Sequence, residues 1–342
     1  MGSKKGKTVL LMGAALTDAQ ERLHALLSPE WEIRAWRPAD GLDALRAQIR
    51  RADVLVPGPD ALLAGTFHKT IGEAERLQLL QIPFAGVEWL DPALLPGGCL
   101  VCNAAGHETA IAEYVMGALL RHEIRFDELD ADFRAGSWRH RGAGKTGLYQ
   151  GEVRGKTLGI IGFGAIGRAI AQRAAAFDMR VIAVSRSERA CPPGLSWYGT
   201  LNALPRLLKE SDYIVLACDL NETTRGLLGP EQFAAMKPSA VLVNVARGKV
   251  ADEAALFTAL KTGQIAGAVL DVWYVYPPGS DPTPAAGGPK PSRFEFASLD
   301  NVLMTPHCAA RTRESDVRRM ECIAENLNRF ARGEPPLTVV MT

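Results

Sequence analysis

Short apolar runs alternate with longer amphipathic stretches along nearly the whole chain. TVLLMG (8–13), WEIRAW (31–36), ADVLVPG (52–58), LQLLQIP (77–83) and CLVCN (99–103) form a first series. TLGIIG (157–162), RVIAVS (180–185), YIVLAC (213–218), AVLVNV (240–245), AGAVLDV (266–272) and NVLMTP (301–306) form a second. Near-continuous apolar runs of this length predict strands covered on both faces, and the stretches between them, such as 18–28 and 41–51, carry a helical period. Strand and helix in alternation predict a parallel sheet with crossover helices. The longest helical stretch runs from about 109 to 135 and stops near Gly136; the last runs from about 313 to 331 and stops at Gly333, ahead of Pro335 and Pro336.

The two series open alike, Lys7–Gly13 echoing Lys156–Gly162. That echo predicts an α/β protein of two doubly wound parallel-sheet units, Rossmann-like or flavodoxin-like, with a cleft between them where ligands would bind. Segment 277–293, PPGSDPTPAAGGPKPSR, is rich in proline and glycine and is expected to be an excursion outside the core.

Gly162-Phe163-Gly164-Ala165-Ile166-Gly167 follows directly on the strand TLGIIG and opens a helical stretch with Ile166, Ile170 and Ala174 on one face. Alone, G-x-G-x-x-G is weak evidence. Between a strand and a helix it predicts a dinucleotide cradle: glycines permit the tight turn and the close approach of a pyrophosphate, and the helix N-terminus favours the anion. The strand RVIAVS should then end at the residues that meet the adenosine ribose. Where an NAD enzyme offers an acid, this chain offers Ser185-Arg186-Ser187. A guanidinium flanked by hydroxyls suits a 2′-phosphate, which favours NADP(H) over NAD(H).

Two further side chains fall just past strand ends. VNVARG places Arg247 after AVLVNV, and TPHCAA places His307 after NVLMTP. Both should emerge at the carboxyl edge of the sheet. An arginine fork can hold a carboxylate or polarise a carbonyl, and an imidazole can exchange a proton near neutral pH. Either residue alone would more often be structural; together, after a dinucleotide cradle, they favour hydride transfer.

Composition narrows the partners. Lys and Arg number 39 against 38 Asp and Glu, a formal net charge of +1, so no global field draws in nucleic acid or an anionic membrane. With 47% apolar residues over 342 positions, the chain can bury two ordinary cores. Six cysteines, scattered through a chain of this size, fit reduced thiols and a cytoplasmic protein, and Cys99-x-x-Cys102 sits in a strand pattern rather than a redox motif. His24, His68, His122 and His140 show no ligand spacing, so no metal site is expected. The basic residues ahead of TVLLMG resemble a secretory leader, but a helix start at Thr17-Asp18 makes that run a first core strand.

At this point the chain resembles the D-isomer-specific 2-hydroxyacid dehydrogenase family. LQLLQIPFAGVEWLD, VCNAAG, IAEYVMGALL, GKTLG, the cradle, VNVARGKVADEAAL, AGAVLDVW, NVLMTPH and NRFARGEPP fall in family order. The resemblance implies a discontinuous substrate domain (1–103 and 308–342), an inserted cofactor domain (104–307), a small anionic substrate and a homodimer. It makes Arg247 the substrate-orienting arginine, His307 the proton donor and acceptor, and the backbone N–H groups of Ala85, Gly86 and Val87 the receivers of the substrate's acid group. Val245, Ala246 and Asp271 fall at the nicotinamide end, Asp271 as the acid closing its strand.

The chain departs from the family in three places. Where most members have a Glu that hydrogen-bonds the catalytic histidine, this chain has Tyr276; a neutral phenol can orient an imidazole without raising its pKa. His107 replaces the usual Asn near substrate or nicotinamide. The excursion after Pro278 is long, and Glu295 from its far side is a competing source of the missing carboxylate. Oxidation of an unusual small acid (formate, phosphite or a phosphonate) and a non-catalytic corepressor-like dinucleotide sensor are the alternative readings.

Overall fold

The computed structural model describes residues 6–63, 65–141, 147, 149–277 and 289–341. They fall into two compact units, the first containing the chain up to His107 and from Thr312 on, the second Glu108–Val275 and Lys290–Arg311; Tyr276 clusters with the first. Strands are numbered along the chain.

In the first unit, β1 (Lys7–Met12), β2 (Trp31–Trp36), β3 (Val54–Pro57), β4 (Leu79–Gln81) and β5 (Leu100–Cys102) pair in parallel. β13 (Val339–Met341) joins antiparallel to β5, giving the order β13-β5-β4-β3-β1-β2. The period of two explains the all-apolar run in β1. Leu10 and Met12 pack on one face with Leu55 and Phe67, while Val9 and Leu11 pack on the other with Ile323 and Leu327 of the Arg313–Arg332 helix. That helix ends at Gly333, whose φ of 76° supplies the left-handed C-terminal cap. Asn326, fully buried, donates to Gln81 Oε1 at 2.9 Å and Thr338 Oγ1 at 2.8 Å, and its Oδ1 accepts from Leu337 N at 2.8 Å.

The second unit is a parallel sheet in the order β12-β11-β10-β9-β6-β7-β8. Its strands are β6 (Thr157–Ile161), β7 (Arg180–Ser185), β8 (Trp197–Thr200), β9 (Tyr213–Leu216), β10 (Val241–Asn244), β11 (Gly267–Leu270) and β12 (Val302–Met304). The chain runs outward from β6 through β7 to β8, then returns to the other side of β6 as β9. This reversal, between β6 and β9, is the point where open parallel sheets leave room for a ligand beyond the carboxyl ends of the strands. Register fixes which residues share that edge: Val184, Ile161, Leu216, Asn244, Leu270 and Met304 form one row across six strands.

Three details differ from the sequence expectation. The 109–135 stretch is two helices, Glu108–Ile124 and Phe126–Arg134, because Arg125 takes a left-handed φ of 59° that no helix continues through. β8 and β13 were not expected; WYGT is half-buried throughout, and VVM is three residues long and exposed for two of them, so neither shows the pattern of a buried strand. Within the excursion, 278–288 lie outside the described residues, while Pro291 accepts from Tyr274 N and Val275 N and buried Ser292 donates to Glu253 Oε1 at 2.7 Å. Among the described residues no helix is long and apolar enough to cross a membrane.

Candidate active site

The glycine turn begins one residue past the row, at Gly162. Its φ is 99°, and a Cβ there would lie 2.5 Å from Ala217 O, so only glycine lets β6 turn this close to the end of β9. A Cβ on Gly167 would lie 2.3 Å from Gly162 O, which sets the close packing of the Ala165–Ala176 helix on the turn. Gly164 is different: a Cβ there would meet nothing within 4 Å. Gly164 and Ala165 are exposed, Ile166 is half-buried, and the helix N-cap carries no side-chain hydrogen bond. The unfilled volume at Gly164 and a side-chain-free helix N-terminus fit a dinucleotide pyrophosphate.

β7 ends at Ser185, beside the glycine turn. Ser185 Oγ and Tyr198 OH lie 2.8 Å apart, and Tyr198 OH donates to Ser187 O at 2.6 Å. Arg186 and Ser187 are exposed. Arg189, which the sequence reading passed over, donates to Phe163 O at 2.9 Å and lies over the rings of Phe163 and Tyr198. The only trace of it in the sequence is a second cation three residues after Arg186.

Arg247 lies three residues past Asn244 and His307 three past Met304, and those two residues flank Leu270 in the row. The two side chains therefore rise from the same carboxyl edge, two strand spacings or about 10 Å apart at their roots. The Arg247 turn is held by Asn244, another residue the sequence reading missed. Its Nδ2 donates to Arg247 O at 3.0 Å and its Oδ1 accepts from Ala246 N at 3.1 Å. A buried asparagine closing an otherwise apolar strand was the available signal. Val245 and Ala246 are themselves buried, so any approach to a cofactor there is through backbone. Arg247 is half-buried and donates to Ala246 O.

His307 is exposed with a φ of 57°, a left-handed conformation that histidine adopts more readily than most residues but still at a cost. Asp271 imposes it. The buried carboxylate accepts from Cys308 N at 2.8 Å and Ala309 N at 3.0 Å, the two amides directly after His307, and from Thr305 Oγ1 at 2.6 Å. Trp273 Nε1 donates to Thr305 O at 2.8 Å, and Thr305 Oγ1 meets Tyr114 OH at 2.6 Å. Burial pushes the Tyr114 phenol up to about 12, so this chain of contacts stays neutral beyond Asp271. Asp271 thus clamps the histidine loop, and Trp273 buttresses it from below. Tyr274 is occupied elsewhere, donating to Ala251 O at 3.0 Å.

The remaining expected residues are distributed as follows. In the first unit the Ala85–Val87 loop follows β4; Asn103 Nδ2 donates to Ala85 O at 2.9 Å and Trp89 Nε1 to Gly86 O at 3.2 Å, tying the carbonyls back. His107 is buried and Tyr276 is 41% exposed. In the second unit Glu295 is exposed and paired with Lys290. Glu128, Asp132 and His140 come within 4.8 Å of one another, a grouping hidden in the sequence, but Asp132 is bonded to both His140 and Arg139.

A glycine turn at the switch point of a parallel sheet, with an arginine and a histidine raised at the same edge on either side of β11, defines a nicotinamide-dinucleotide oxidoreductase class. Residues 116–309 match the D-isomer specific 2-hydroxyacid dehydrogenase, NAD binding domain family. A glyoxylate reductase of Pyrococcus furiosus is 35% identical over 325 residues, 92% of this chain and 90% of that protein. Among solved structures, a D-isomer specific 2-hydroxyacid dehydrogenase family protein from Aeromonas salmonicida superposes with a TM-score of 0.80 at 28% identity, covering 98% of this chain and 99% of that one. An NADPH-dependent glyoxylate/hydroxypyruvate reductase from Sinorhizobium meliloti, solved with NADP and sulfate, gives 0.75 at 26% identity, covering 98% of each chain. The chain belongs to the D-isomer-specific 2-hydroxyacid dehydrogenase family, and is an NAD(P)-dependent enzyme of that family.

Proposed function

We propose that the protein reduces a small 2-oxo acid of the glyoxylate or hydroxypyruvate kind, or oxidises its 2-hydroxy counterpart, with NADP(H). The observation that carries this reading is the shared edge: the glycine turn, Arg247 and His307 all leave the same row of the second unit's sheet. The likeness to proteins named glyoxylate reductase supports the substrate class. When bound, the cofactor supplies or accepts the hydride. Gly162, Gly164, Ala165, Ile166 and Gly167 hold its pyrophosphate, and Ser185, Arg186 and Ser187 receive the 2′-phosphate.

Arg247 orients the substrate's carboxylate and polarises its carbonyl, and His307 passes a proton to or from the substrate oxygen. In the first unit, the substrate domain, the amides of Ala85, Gly86 and Val87 meet the acid group, and His107 adds a polar group near the reacting end. Tyr276 takes the place of the family's carboxylate as the orienting partner of His307. A second copy of the chain is the partner that covers Phe126, Phe133 and Trp138, which are 56, 57 and 63% exposed on the second unit; a monomeric mass in solution would remove it.

The test is NADPH and NADH turnover against glyoxylate, hydroxypyruvate, pyruvate, formate, phosphite and simple phosphonates. Glyoxylate or hydroxypyruvate should turn over with NADPH, and Arg247→Ala should lower kcat by about 10²–10³. Near-parental turnover in Arg247→Ala removes the assignment. An unchanged pH profile in both Tyr276→Phe and Tyr276→Glu removes Tyr276 from the mechanism.

A further inference from the structure

Arg189 occupies an unusual position. It stands in the loop after β7 yet reaches back to the glycine turn, where it donates to Phe163 O at 2.9 Å. Its guanidinium lies 5.6 Å from the Phe163 ring centre and 4.9 Å from that of Tyr198, the two rings being 6.2 Å apart. Tyr198 in turn belongs to β8, and its hydroxyl is shared between Ser185 Oγ at 2.8 Å and Ser187 O at 2.6 Å. The selector residues are thus tied from both ends, to the glycine turn through Arg189 and to the next strand through Tyr198.

We infer that Tyr198 is a positioning residue that, with Phe163, stacks Arg189 into place and so pre-forms a two-cation receptacle, Arg186 and Arg189, for the cofactor's 2′-phosphate. A loop that must be ordered on binding spends affinity on the ordering. Here the hydroxyl of Tyr198 fixes Ser185 and Ser187 in advance, and stacking on an aromatic face holds a guanidinium plane with N–H groups left to donate. Phe163 O takes up one donor of Arg189, and the exposed side chain carries others that a phosphate can accept. Glu188 shares the loop and is exposed; a carboxylate there opposes a 2′-phosphate. The inference rests on the NADP(H) reading above, and its test separates the two.

Calorimetric binding of 2′,5′-ADP and of AMP measures the receptacle without catalysis. The parent should bind 2′,5′-ADP more tightly. Tyr198→Phe, which keeps the ring and loses the hydroxyl, should lose about fivefold of that preference with AMP affinity unchanged. Arg189→Gln should lose about 10- to 100-fold, and Arg189→Lys should recover part of it, because a point charge replaces the stacked fork. Glu188→Gln should tighten 2′,5′-ADP and leave AMP alone.

A parent without any 2′-phosphate preference overturns the cofactor reading and the receptacle with it. A parent that has the preference and a Tyr198→Phe protein that keeps all of it overturn the positioning role alone. If Arg189→Gln weakens AMP and 2′,5′-ADP equally, Arg189 serves the adenine or the fold and not the phosphate; if Glu188→Gln weakens AMP, the loop is built around a ribose hydroxyl.

Discussion

Asp271 shows how one buried charge can set a neighbour's backbone. Its two oxygens accept three bonds, two of them from the amides that follow His307. Asparagine in its place turns one acceptor into a donor aimed at donors, which costs about 1–3 kcal/mol of stability and frees the His307 loop. Asp271→Asn should therefore lower the denaturant midpoint and cut kcat, while leaving binding of an adenosine fragment at the far end of the sheet unchanged. Equal loss of fragment binding and turnover would mean the whole unit has been disturbed. The sequence placed Asp271 at a strand end beside the chemistry but gave no hint of what it touches, since its partners stand 34 to 38 residues further on.

At the level of the element, the glycine turn separates three roles that a motif string merges. Gly162→Ala and Gly167→Ala should both lower the melting temperature, because each new Cβ would overlap backbone. Gly164→Ala should keep the parental melting temperature without cofactor and still lose dinucleotide affinity, as its Cβ would fill only open space. A melting temperature for Gly164→Ala as low as the other two would contradict this.

The outer edge of the same sheet carries a pH signature. Arg206, Arg180 and Trp197 hold the Glu210 carboxyl at about 2, below its ordinary 4.5. The sign follows from the lowering: the stabilisation is complete above pH 4.5 and is lost as pH falls toward 2. Melts of the parent and Glu210→Gln should therefore converge over that window and differ above it. The strands β6, β7, β9, β10 and β11 and their parallel pairing were legible because those apolar runs are bounded and largely buried; the order of the strands in the sheet was not. The break at Arg125 was not, because residues on both sides of it keep a helical period. β8 was not, because the half-buried WYGT shows no clean alternation.

Over the whole molecule, the first unit is closed by residues far apart in the chain, and this lay beyond any local pattern. Asn326 joins Gln81, Leu337 and Thr338, contacts that no periodicity announces. Asn326→Ala would leave the buried Gln81 Oε1 without its donor and free Leu337 and Thr338, at a cost of about 1–3 kcal/mol. Scanning calorimetry should show a lowered transition for the first unit, while the transition raised by an added nicotinamide dinucleotide keeps its parental position. A uniform shift of all unfolding would show that the two units melt as one.

The same closure has a consequence for biosynthesis. Val9, Leu11, Val54 and Leu79 share their cluster with Ile323 and Leu327 as well as with the nearby Leu16 and Leu23, so one side of the first unit's sheet stays partly uncovered until more than two hundred further residues have been translated. At about 5–20 residues per second that is a wait of roughly 10 s or more, with an apolar surface partly bare on the ribosome. The later-made unit has all its strands once Met304 has emerged, so it can mature before the part that precedes it. Nascent chains stalled short of residue 323 should be bound by holdase chaperones through their amino-terminal third.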